Sequence, residues 1–471
     1  MIVDRFTTMD ELDKITTPAS GLPLGFHGTV VHSHSLDELE ILQDCFVLVD
    51  KAGTIQALQA DTHPHRINAI VAEHGYAPDV FPVKYLRRGE FLCPGFIDTH
   101  NHAPQWAQRG VGRGLTLLDW LDQVTFTHEA KFADPEYARR MYTSCVTGFL
   151  QQGITMASYY GSFHGEGSRI LADVCLDKGQ RAFIGKCNMN RNAPDWYRDQ
   201  SASESLLETR ALIKHVQQLD PNNLLIKPII TPRFAICCDP PLLEGLGEIV
   251  REHPDLPIQT HFNEAKDEIK YTHQLFPEFG TETDLYQRFG LLNERSILAH
   301  CIFLQEEEIH RLQELRCGIS HCPVSNTTMQ DFMVAPIREY LRRGIKVGLG
   351  TDSGGGHSSS MLEVMKQAFV VSNAQQMLTQ GQDPALSLHE GFFLATLGGA
   401  QVCGLDDRIG NFVVGKEFDA LEIHTMDLEN LAVMTPVEEE DSISVIFEKF
   451  LMTGDDRNIA KVYVRGRSVK V

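Results

Sequence analysis

The chain has 471 residues, of which 42% are hydrophobic and 22% are charged, an ordinary balance for a globular protein. This length accommodates one large domain with a smaller one beside it, or a barrel with extensions. Lysine and arginine number 42 against 63 aspartates and glutamates, which gives a net charge of −21. Because so acidic a chain is a poor match for a nucleic-acid backbone or an anionic membrane, we expect neither as a partner.

The N-terminal stretch and the cysteines both indicate a cytoplasmic protein. The first residues, "MIVDRFTTMDELDK", lack the apolar segment of a signal peptide, and no uncharged apolar run reaches transmembrane length. The eleven cysteines are an odd, scattered set without a CxxC pair. We therefore expect reduced thiols, most of them buried. The adjacent Cys237 and Cys238 are assigned to packing, since a zinc knuckle would need a second pair.

Eight short β-like runs that end in polar residues lie between residues 90 and 352. They are "EFLCPGFIDTH", "GITMASYY", "RAFIGKCNMN", "LLIKPIITPRF", "LPIQTHFNE", "RSILAHCIF", "CGISHCPVSN" and "IKVGLGTD". Several are apolar without alternation, as strands buried on both faces are, and helical patterns such as "LQEEEIHRLQEL" lie between them. This alternation predicts an α/β fold of the (β/α)8 TIM-barrel class. A doubly wound open sheet is the alternative, but it usually has fewer strands and a glycine-rich first turn; "RGVGRGL" near residue 112 does not directly follow a strand and is predicted to be a loop.

Both ends of the chain are β-rich. A hairpin is predicted around Ala52-Gly53, and "EFDALEIH" and "KVYVRGRSVKV" near the C-terminus are predicted strands with a turn at Arg465-Gly466. We predict that residues 1–90 and 405–471 form a small β-sandwich-like domain beside a catalytic barrel of residues 91–404.

The segment from Ala103 to about Asp134 is long for a loop between a strand and its helix. Long loops on the active face of a barrel are usually lids or binding loops. The sequence does not assign this insertion one of these roles.

Catalytic groups of a TIM barrel follow the strand ends, and residues able to bind a metal follow four of the predicted strands. The first run ends in His100 and His102, the fifth in His261, the sixth in His300 and the eighth in Asp352. Residues two apart on a strand point to the same side, so the first two histidines can reach one ion together. A lone histidine among twenty is more often a packing or surface residue. Ligand-type residues at converging strand ends nevertheless favour a metal site, and three imidazoles with one carboxylate suit zinc.

Hydrolysis at such a site also needs a group that moves protons. Zinc lowers the pKa of bound water to roughly 7, which supplies hydroxide at neutral pH. Glu264 lies three residues after His261, just past the predicted strand end. Alone, a glutamate there would be a helix N-terminal residue stabilised by the helix dipole. Beside a metal ligand, general acid–base catalysis is the better interpretation.

The fourth run ends in "TPRF", and Lys227 lies too early to be the modified lysine that bridges two ions in dinuclear barrel hydrolases. We therefore expect one metal ion. A single ion favours deamination over hydrolysis of a cyclic amide.

The segments "PGFIDTHNHAPQ", "HFNEAKDE", "LAHC" and "GTDSGGG" resemble the metal-dependent amidohydrolase superfamily, in its purine-deaminase branch. "HAPQ", "TPRF" and the late "GDDRNI" are more specific and look like those of its guanine-hydrolysing members, and the similarity extends over nearly the whole chain. The resemblance implies hydrolysis of guanine to xanthine and ammonia. It also implies one zinc ion per subunit, held by His100, His102, His261 and Asp352.

The resemblance further implies roles for individual side chains. Glu264 would shuttle protons and protonate ring N3 as hydroxide attacks C2, Asp352 would take a proton from the water, and His300 would orient water or substrate. Arg233 is a permanent donor suited to the guanine carbonyl, and Gln105 can donate and accept at an amide edge. The full set of residues implied in purine binding is Gln105, Trp106, Arg233, Phe234, His261 and Asp352.

The chain departs from the family pattern at several positions. Asn101 stands where an aliphatic residue is usual, Trp106 where tyrosine is common, and Ser353-Gly354 where a Val-Ala pair is found. None removes a ligand, but they leave substrate preference open, with another aminated purine, 8-oxoguanine or a pterin as alternatives. A non-catalytic scaffold barrel is disfavoured, because every ligand and the glutamate are present. A homodimer is expected from the resemblance alone.

Overall fold

The computed structural model describes residues 23–329, 333–426 and 434–470. The stretch "MIVDRFTTMDELDK", which we expect not to be a signal peptide, lies outside these residues. Within the described ranges, every helix is too short or too polar to cross a membrane. All eleven cysteines are buried free thiols, as the composition predicts.

The N-terminal part of the chain forms most of a small sheet. Its strands are β1 (Leu24–Ser33), β2 (Leu39–Val49), β3 (Ile55–Gln59), β4 (Val83–Tyr85) and β5 (Glu90–Pro94). Strands β2 and β3 are antiparallel, which confirms the predicted hairpin around Ala52-Gly53. The helix Pro64–Glu73 covers one face of this sheet, where Ile67 and Ile70 pack on Phe46 and its neighbours.

The middle of the chain alternates strands and helices. Its strands are β6 (Phe96–His102), β7 (Ile154–Tyr160), β8 (Arg181–Gly185), β9 (Ile226–Pro228), β10 (Ile258–Phe262), β11 (Ser296–His300), β12 (Gly318–His321) and β13 (Lys346–Leu349). Each of the eight predicted runs therefore contains a strand. They form two four-stranded parallel sheets, in the orders β6-β7-β8-β9 and β10-β11-β12-β13. The result is an α/β architecture, which we call the central domain.

Amphipathic helices pack around these strands. In Pro240–Glu252, for example, Asp239 caps the first turn, proline occupies the first helical position, and the buried Leu242, Leu246 and Ile249 lie on one face. The other helices that follow the strands of the central domain are Pro135–Gln151, Gly165–Lys178, Ala202–Leu219, Lys266–Leu275, Glu282–Arg288, Glu306–Glu314, Pro323–Asn326, Ile337–Arg342, Met361–Leu378, Leu388–Ala395 and Leu397–Cys403.

The insertion after β6 is a chain of short helical segments rather than an irregular loop. They are Ala103–Gln108, Leu117–Trp120, Leu121–Thr125, Phe126–Glu129 and Ala130–Ala133. The glycine-rich stretch between the first two is a turn region, which confirms the loop predicted for "RGVGRGL". Buried side chains of the insertion join the main core of the central domain.

The C-terminal strands complete the small sheet. They are β14 (Ala420–His424), β15 (Ile459–Val464) and β16 (Arg467–Ser468), and β14 pairs with β5. The predicted association of both chain ends is therefore present, but the sandwich-like arrangement is not confirmed. The described strands form one continuous sheet in the order β16-β15-β14-β5-β1-β2-β3, with β4 beside β1.

Two details differ from the predicted boundaries. The first run is two strands, because β5 ends at Pro94 and pairs in the small sheet, whereas β6 begins the central domain. Between them, a Cβ on Gly95 would lie 2.1 Å from the hydroxyl of Thr155. The predicted β-rich C-terminal segment also contains the helix Ile443–Thr453, whose Phe447 packs edge-on against Phe91 of β5 and against Phe392 of the central domain.

The turns of two hairpins touch at Gly53, which has a φ of +83°, and a Cβ there would lie 1.9 Å from the backbone oxygen of Arg465. Gly53→Ala should therefore lower the free energy of unfolding by about 2 kcal/mol or more, because a backbone collision adds to the cost of a positive φ. Gly75→Ala is the matched control: its φ is +80° and the added Cβ would meet nothing within 4 Å. The control should lose only about 1 kcal/mol in chemical denaturation. Equal losses would contradict the turn contact.

Candidate active site

The side chains predicted to bind a metal meet at the C-terminal ends of the strands. His100 and His102 end β6, His261 lies on β10, and Asp352 follows β13. The Oδ1 atom of Asp352 lies 3.4 Å from Nε2 of His100 and 3.6 Å from Nε2 of His102. The Nε2 atoms of His102 and His261 are 3.0 Å apart. Three nitrogens and one carboxylate oxygen thus converge on one point.

This cluster has the properties that a metal site requires. The buried Nε2 of His100 has no hydrogen-bond partner among the described residues. Nδ1 of His261 donates to the backbone carbonyl of Arg233 at 2.6 Å, so its Nε2 keeps a free lone pair toward the cluster. Burial, aided by neighbouring imidazoles, lowers the pKa of His102 and of His261 well below the ordinary value. Neutral imidazoles with one carboxylate are a donor set that fits zinc.

Backbone strain is concentrated around the cluster. Asp352 has a φ of 42°, His300 a φ of 73° and Asn263 a φ of 46°, values in the left-handed region that non-glycine residues seldom adopt. Such conformations persist where surrounding contacts enforce them, and they are common at functional sites. Here the N–H of Asp352 donates to the carbonyl of His100 at 2.9 Å. That bond places the carboxylate directly beside the imidazoles.

A buried carboxylate beneath the cluster joins the first and last strands of the central domain. Asp98 accepts hydrogen bonds from the N–H of Thr351 at 2.9 Å and from its hydroxyl at 2.6 Å, and from the N–H of His100 at 3.3 Å. Burial raises its pKa to about 7 despite these donors. Sequence reasoning missed this residue, although a carboxylate inside an apolar strand run is itself a signal of a buried polar role.

Glu264 and His300 lie together next to the cluster. Oε2 of Glu264 is 3.6 Å from Nε2 of His300, whose Nδ1 donates to Oδ1 of Asn326 at 2.8 Å. Burial raises the pKa of Glu264 to about 7, against the opposing effect of His300. A carboxyl group that titrates near neutral pH is suited to proton transfer. Asn326, which fixes the ring of His300, was not singled out from the sequence.

A small pocket opens beside these residues and forms the cavity of the site. Its polar lining consists of His102, Gln105, Arg233, His261, Glu264 and Asp352. Its apolar lining consists of Leu117, Trp120, Leu121, Phe234 and Met329. The insertion therefore contributes walls to the cavity. Gly354, with a φ of +115°, lies against Gln105, and a Cβ there would lie 2.2 Å from Oε1 of that side chain.

One residue predicted to bind the purine is not among the residues that line the cavity. Trp106 lies outside the described lining of the cavity: its indole N–H donates to the hydroxyl of Ser144 at 3.0 Å, and the guanidinium of Arg109 lies 3.5 Å from its ring centroid. The aromatic wall is supplied instead by Trp120 of the insertion. Successive residues of the helical turn Ala103–Gln108 point in different directions, so Gln105 lines the cavity while Trp106 points to Ser144.

Glu129 is a further residue that sequence reasoning missed. It lies at the end of the segment Phe126–Glu129, is fully buried, and accepts hydrogen bonds from Gln105 and Arg233 at 2.7 and 2.8 Å. The hydroxyl of Tyr197 also donates to it. No local pattern marks this glutamate, since its partner Arg233 follows β9, far along the chain.

Comparisons with known proteins agree with this geometry. Residues 91–469 match the model of the amidohydrolase family. A probable guanine deaminase of Schizosaccharomyces pombe is 41% identical over 444 residues, which cover 94% of this chain and 83% of that protein. Guanine deaminase of Homo sapiens is 37% identical over 445 residues, which cover 94% of this chain and 96% of that protein.

A solved structure gives the same result. The crystal structure of guanine deaminase from C. acetobutylicum with bound guanine superposes with a TM-score of 0.85 at 30% sequence identity, covering 95% of this chain and 99% of that one. The family model spans most of the chain, and the relatives exceed 30% identity over nearly all of it. The chain therefore belongs to the amidohydrolase family, in its guanine deaminase group.

Proposed function

We propose that this chain hydrolyses guanine to xanthine and ammonia. One observation carries the proposal: one cavity beside the imidazole–carboxylate cluster is lined by a buried guanidinium, a buried carboxyl and Gln105, whose amide oxygen has no hydrogen-bond partner among the described residues. The relatives support the same reaction: they are a probable guanine deaminase and a guanine deaminase, and the similarity covers 83% and 96% of their lengths. The related structure from C. acetobutylicum holds guanine in its active site.

We also infer that the eight parallel strands close into a (β/α)8 barrel. Support comes from the two junctions between the four-stranded sheets. At one, Ile230 pairs with Ile258 and the N–H of Gln259 donates to Ile230 at 2.9 Å. At the other, the hydroxyl of Thr99 donates to the carbonyl of Leu349 at 2.9 Å. Closure explains how strand ends that are distant in sequence share one site.

His100, His102, His261 and Asp352 would hold one zinc ion per subunit. When bound, the ion lowers the pKa of a coordinated water to roughly 7 and so supplies a nucleophile at neutral pH. The ammonium of Lys227 bonds the carbonyl of Asp255 at 2.8 Å, at the exposed end of the strand. Its placement away from the cluster supports a site for one ion.

Glu264 is the proposed general acid–base. Its buried carboxyl can give a proton to ring N3 as water adds to C2, and it can then protonate the departing amine with a proton taken from that water. Asp352 would accept a proton from the water at the same time. His300, whose ring is fixed by Asn326, would orient the water or the purine next to Glu264. Guanine and water thus give xanthine and ammonia without an external acid.

The purine would be recognised through its lactam edge. Oε1 of Gln105 is an acceptor suited to the ring N1–H, and Arg233 is a donor suited to the C6 carbonyl. The ring of Phe234 lies in the cavity wall, 6.0 Å from the ring of His261, and offers an apolar face to the base. His261 and Asp352 complete the contacts on the side of the cluster.

We propose a cytoplasmic enzyme that acts on a small molecule. Eleven buried free thiols suit a reducing compartment. A net charge of −21 opposes binding to nucleic acid or to an anionic membrane.

Purified protein should contain about one zinc ion per chain, and His100→Ala should lower the content at least about tenfold because a ligand is lost. Plasma mass spectrometry measures this. His32→Ala is the control, since His32, His34 and Glu40 form a second cluster of candidate ligands. There Nδ1 of His32 accepts the N–H of Phe412 at 3.3 Å, so the proton sits on Nε2 and faces Glu40. The control should retain its zinc; equal content in all three proteins contradicts the ligand set.

Metal-loaded protein should release ammonia from guanine, and Glu264→Gln should lower kcat by about 10²–10⁴-fold with a smaller change in KM. Ammonia release and the absorbance of xanthine measure both. Glu268→Gln is the matched control: this buried carboxylate accepts the N–H of Glu264 at 3.3 Å but is absent from the described cavity lining. It should keep kcat within about tenfold. In a panel of guanine, adenine, 8-oxoguanine and a pterin, guanine should have the highest kcat/KM. A higher kcat/KM for another compound would refute the assignment.

We propose a homodimer as well. Val370 and Met377 lie seven residues apart on one face of the helix Met361–Leu378 and are 55% and 78% exposed, as side chains of an interface are in a lone chain. Light scattering should give twice the chain mass of 52.8 kDa, and Met377→Glu should shift the protein toward the single chain. A monomer at micromolar concentration would refute this.

A further inference from the structure

Glu129 contacts the proposed purine-binding residues without lining the cavity itself. One of its oxygens accepts the side-chain N–H of Gln105 at 2.7 Å, and the other accepts Nη1 of Arg233 at 2.8 Å. Nη2 of Arg233 lies 3.3 Å from the first oxygen, so the pair is bidentate. The hydroxyl of Tyr197 donates to the second oxygen. Among the described residues, the side chains that hydrogen-bond this carboxylate are Gln105, Tyr197 and Arg233, and each acts as the donor.

These contacts fix which end of the Gln105 amide points toward Glu129 and which end points away from it. The terminal torsion of a glutamine is broad and nearly two-fold, so the amide can present either its oxygen or its nitrogen to a ligand. Glu129 accepts hydrogen bonds only, and it therefore holds the amide nitrogen on its own side. Oε1 of Gln105 is left buried and without a partner among the described residues.

The carboxylate of Glu129 also holds Arg233, the proposed donor to the purine carbonyl. Arg233 is fully buried, and a buried guanidinium without a counter-charge would be strongly destabilising. Its bidentate pairing fixes the plane of the guanidinium. The site thus has a fixed acceptor at Gln105 and a fixed donor at Arg233.

We propose that Glu129 is a positioning residue that sets the donor–acceptor polarity of the purine site. It selects bases whose edge reads N–H then C=O over bases whose edge reads N then N–H, and this inference rests on the proposed deamination of guanine. The insertion then helps to determine substrate specificity through Glu129, and it also supplies part of the cavity wall. A glutamine at this position would offer a donor where all three neighbours are donors.

The test uses two purines with the same leaving group. Guanine and 2,6-diaminopurine both carry an amine at C2, but in the second N1 is an acceptor and C6 carries an amine. The parent protein should favour guanine strongly in kcat/KM. Glu129→Gln should reduce the ratio of guanine to 2,6-diaminopurine by about tenfold or more, mainly through a higher KM for guanine, because the amide of Gln105 is released. An unchanged ratio overturns the proposal.

A matched control separates positioning from stability. Asp419→Asn neutralises the carboxylate that pairs with the buried Arg181 at 3.0 Å, at the opposite ends of the strands. It should lower the melting temperature while leaving the ratio of the two purines unchanged. If it shifts the ratio as much as Glu129→Gln does, the effect is merely structural and the proposal fails.

An exchange of the two groups gives a second test, and it applies even if Glu129→Gln alone does not fold. Gln105→Glu places an acceptor against Glu129 and should raise KM for guanine about tenfold or more. The double variant Gln105→Glu/Glu129→Gln restores a donor–acceptor pair and keeps one carboxylate near Arg233. It should recover most of that loss in KM. Absence of recovery in a folded double variant overturns the proposal.

Binding measurements distinguish this proposal from the proposed reaction. Calorimetric titration of Glu264→Gln protein with each purine reads the polarity of the site without turnover. A preference for guanine that disappears when Glu129→Gln is added supports the positioning role even if the parent protein shows no deamination. Equal binding of both purines before Glu129 is changed overturns the polarity argument alone.

Discussion

The active site depends on the junction of β6 and β13. Asp98 on β6 accepts the backbone N–H and the hydroxyl of Thr351, and the N–H of Asp352 donates to the carbonyl of His100. Without these bonds a carboxylate would be buried unpaired, which is strongly destabilising. The junction therefore holds the most distant members of the cluster in one place, and the strained backbone of Asp352 is a consequence of it.

Recognition and chemistry are joined through a single residue. The guanidinium of Arg233 is held by Glu129, while its backbone carbonyl accepts Nδ1 of His261 at 2.6 Å. A shift of this segment would move a proposed purine contact and a proposed metal ligand together. The buried polar groups around the cavity therefore form one network, and this is the condition under which such groups confer rigidity.

The repeated apolar runs and polar strand ends were sufficient to predict the central strands and the side chains that meet in the imidazole–carboxylate cluster, because both are local patterns with a fixed period. The rest depends on contacts that are remote in sequence. Pro94-Gly95 lies inside one apolar run, and only the approach of Thr155 shows that two strands meet there. Likewise, nothing in the sequence around Trp106 shows that its side chain turns to Ser144. Glu129 acquires its meaning only from Arg233.

Gly354 has a consequence for how this site can change over time. Its φ of +115°, and the 2.2 Å that would separate an added methyl carbon from the amide oxygen of Gln105, leave no room for a side chain while that amide keeps its position. Because glycine has no side chain, this residue has no part in the proposed metal binding or proton transfer. A side chain at this position would displace the amide of Gln105. A single substitution in this loop is therefore a short evolutionary route to a different base specificity.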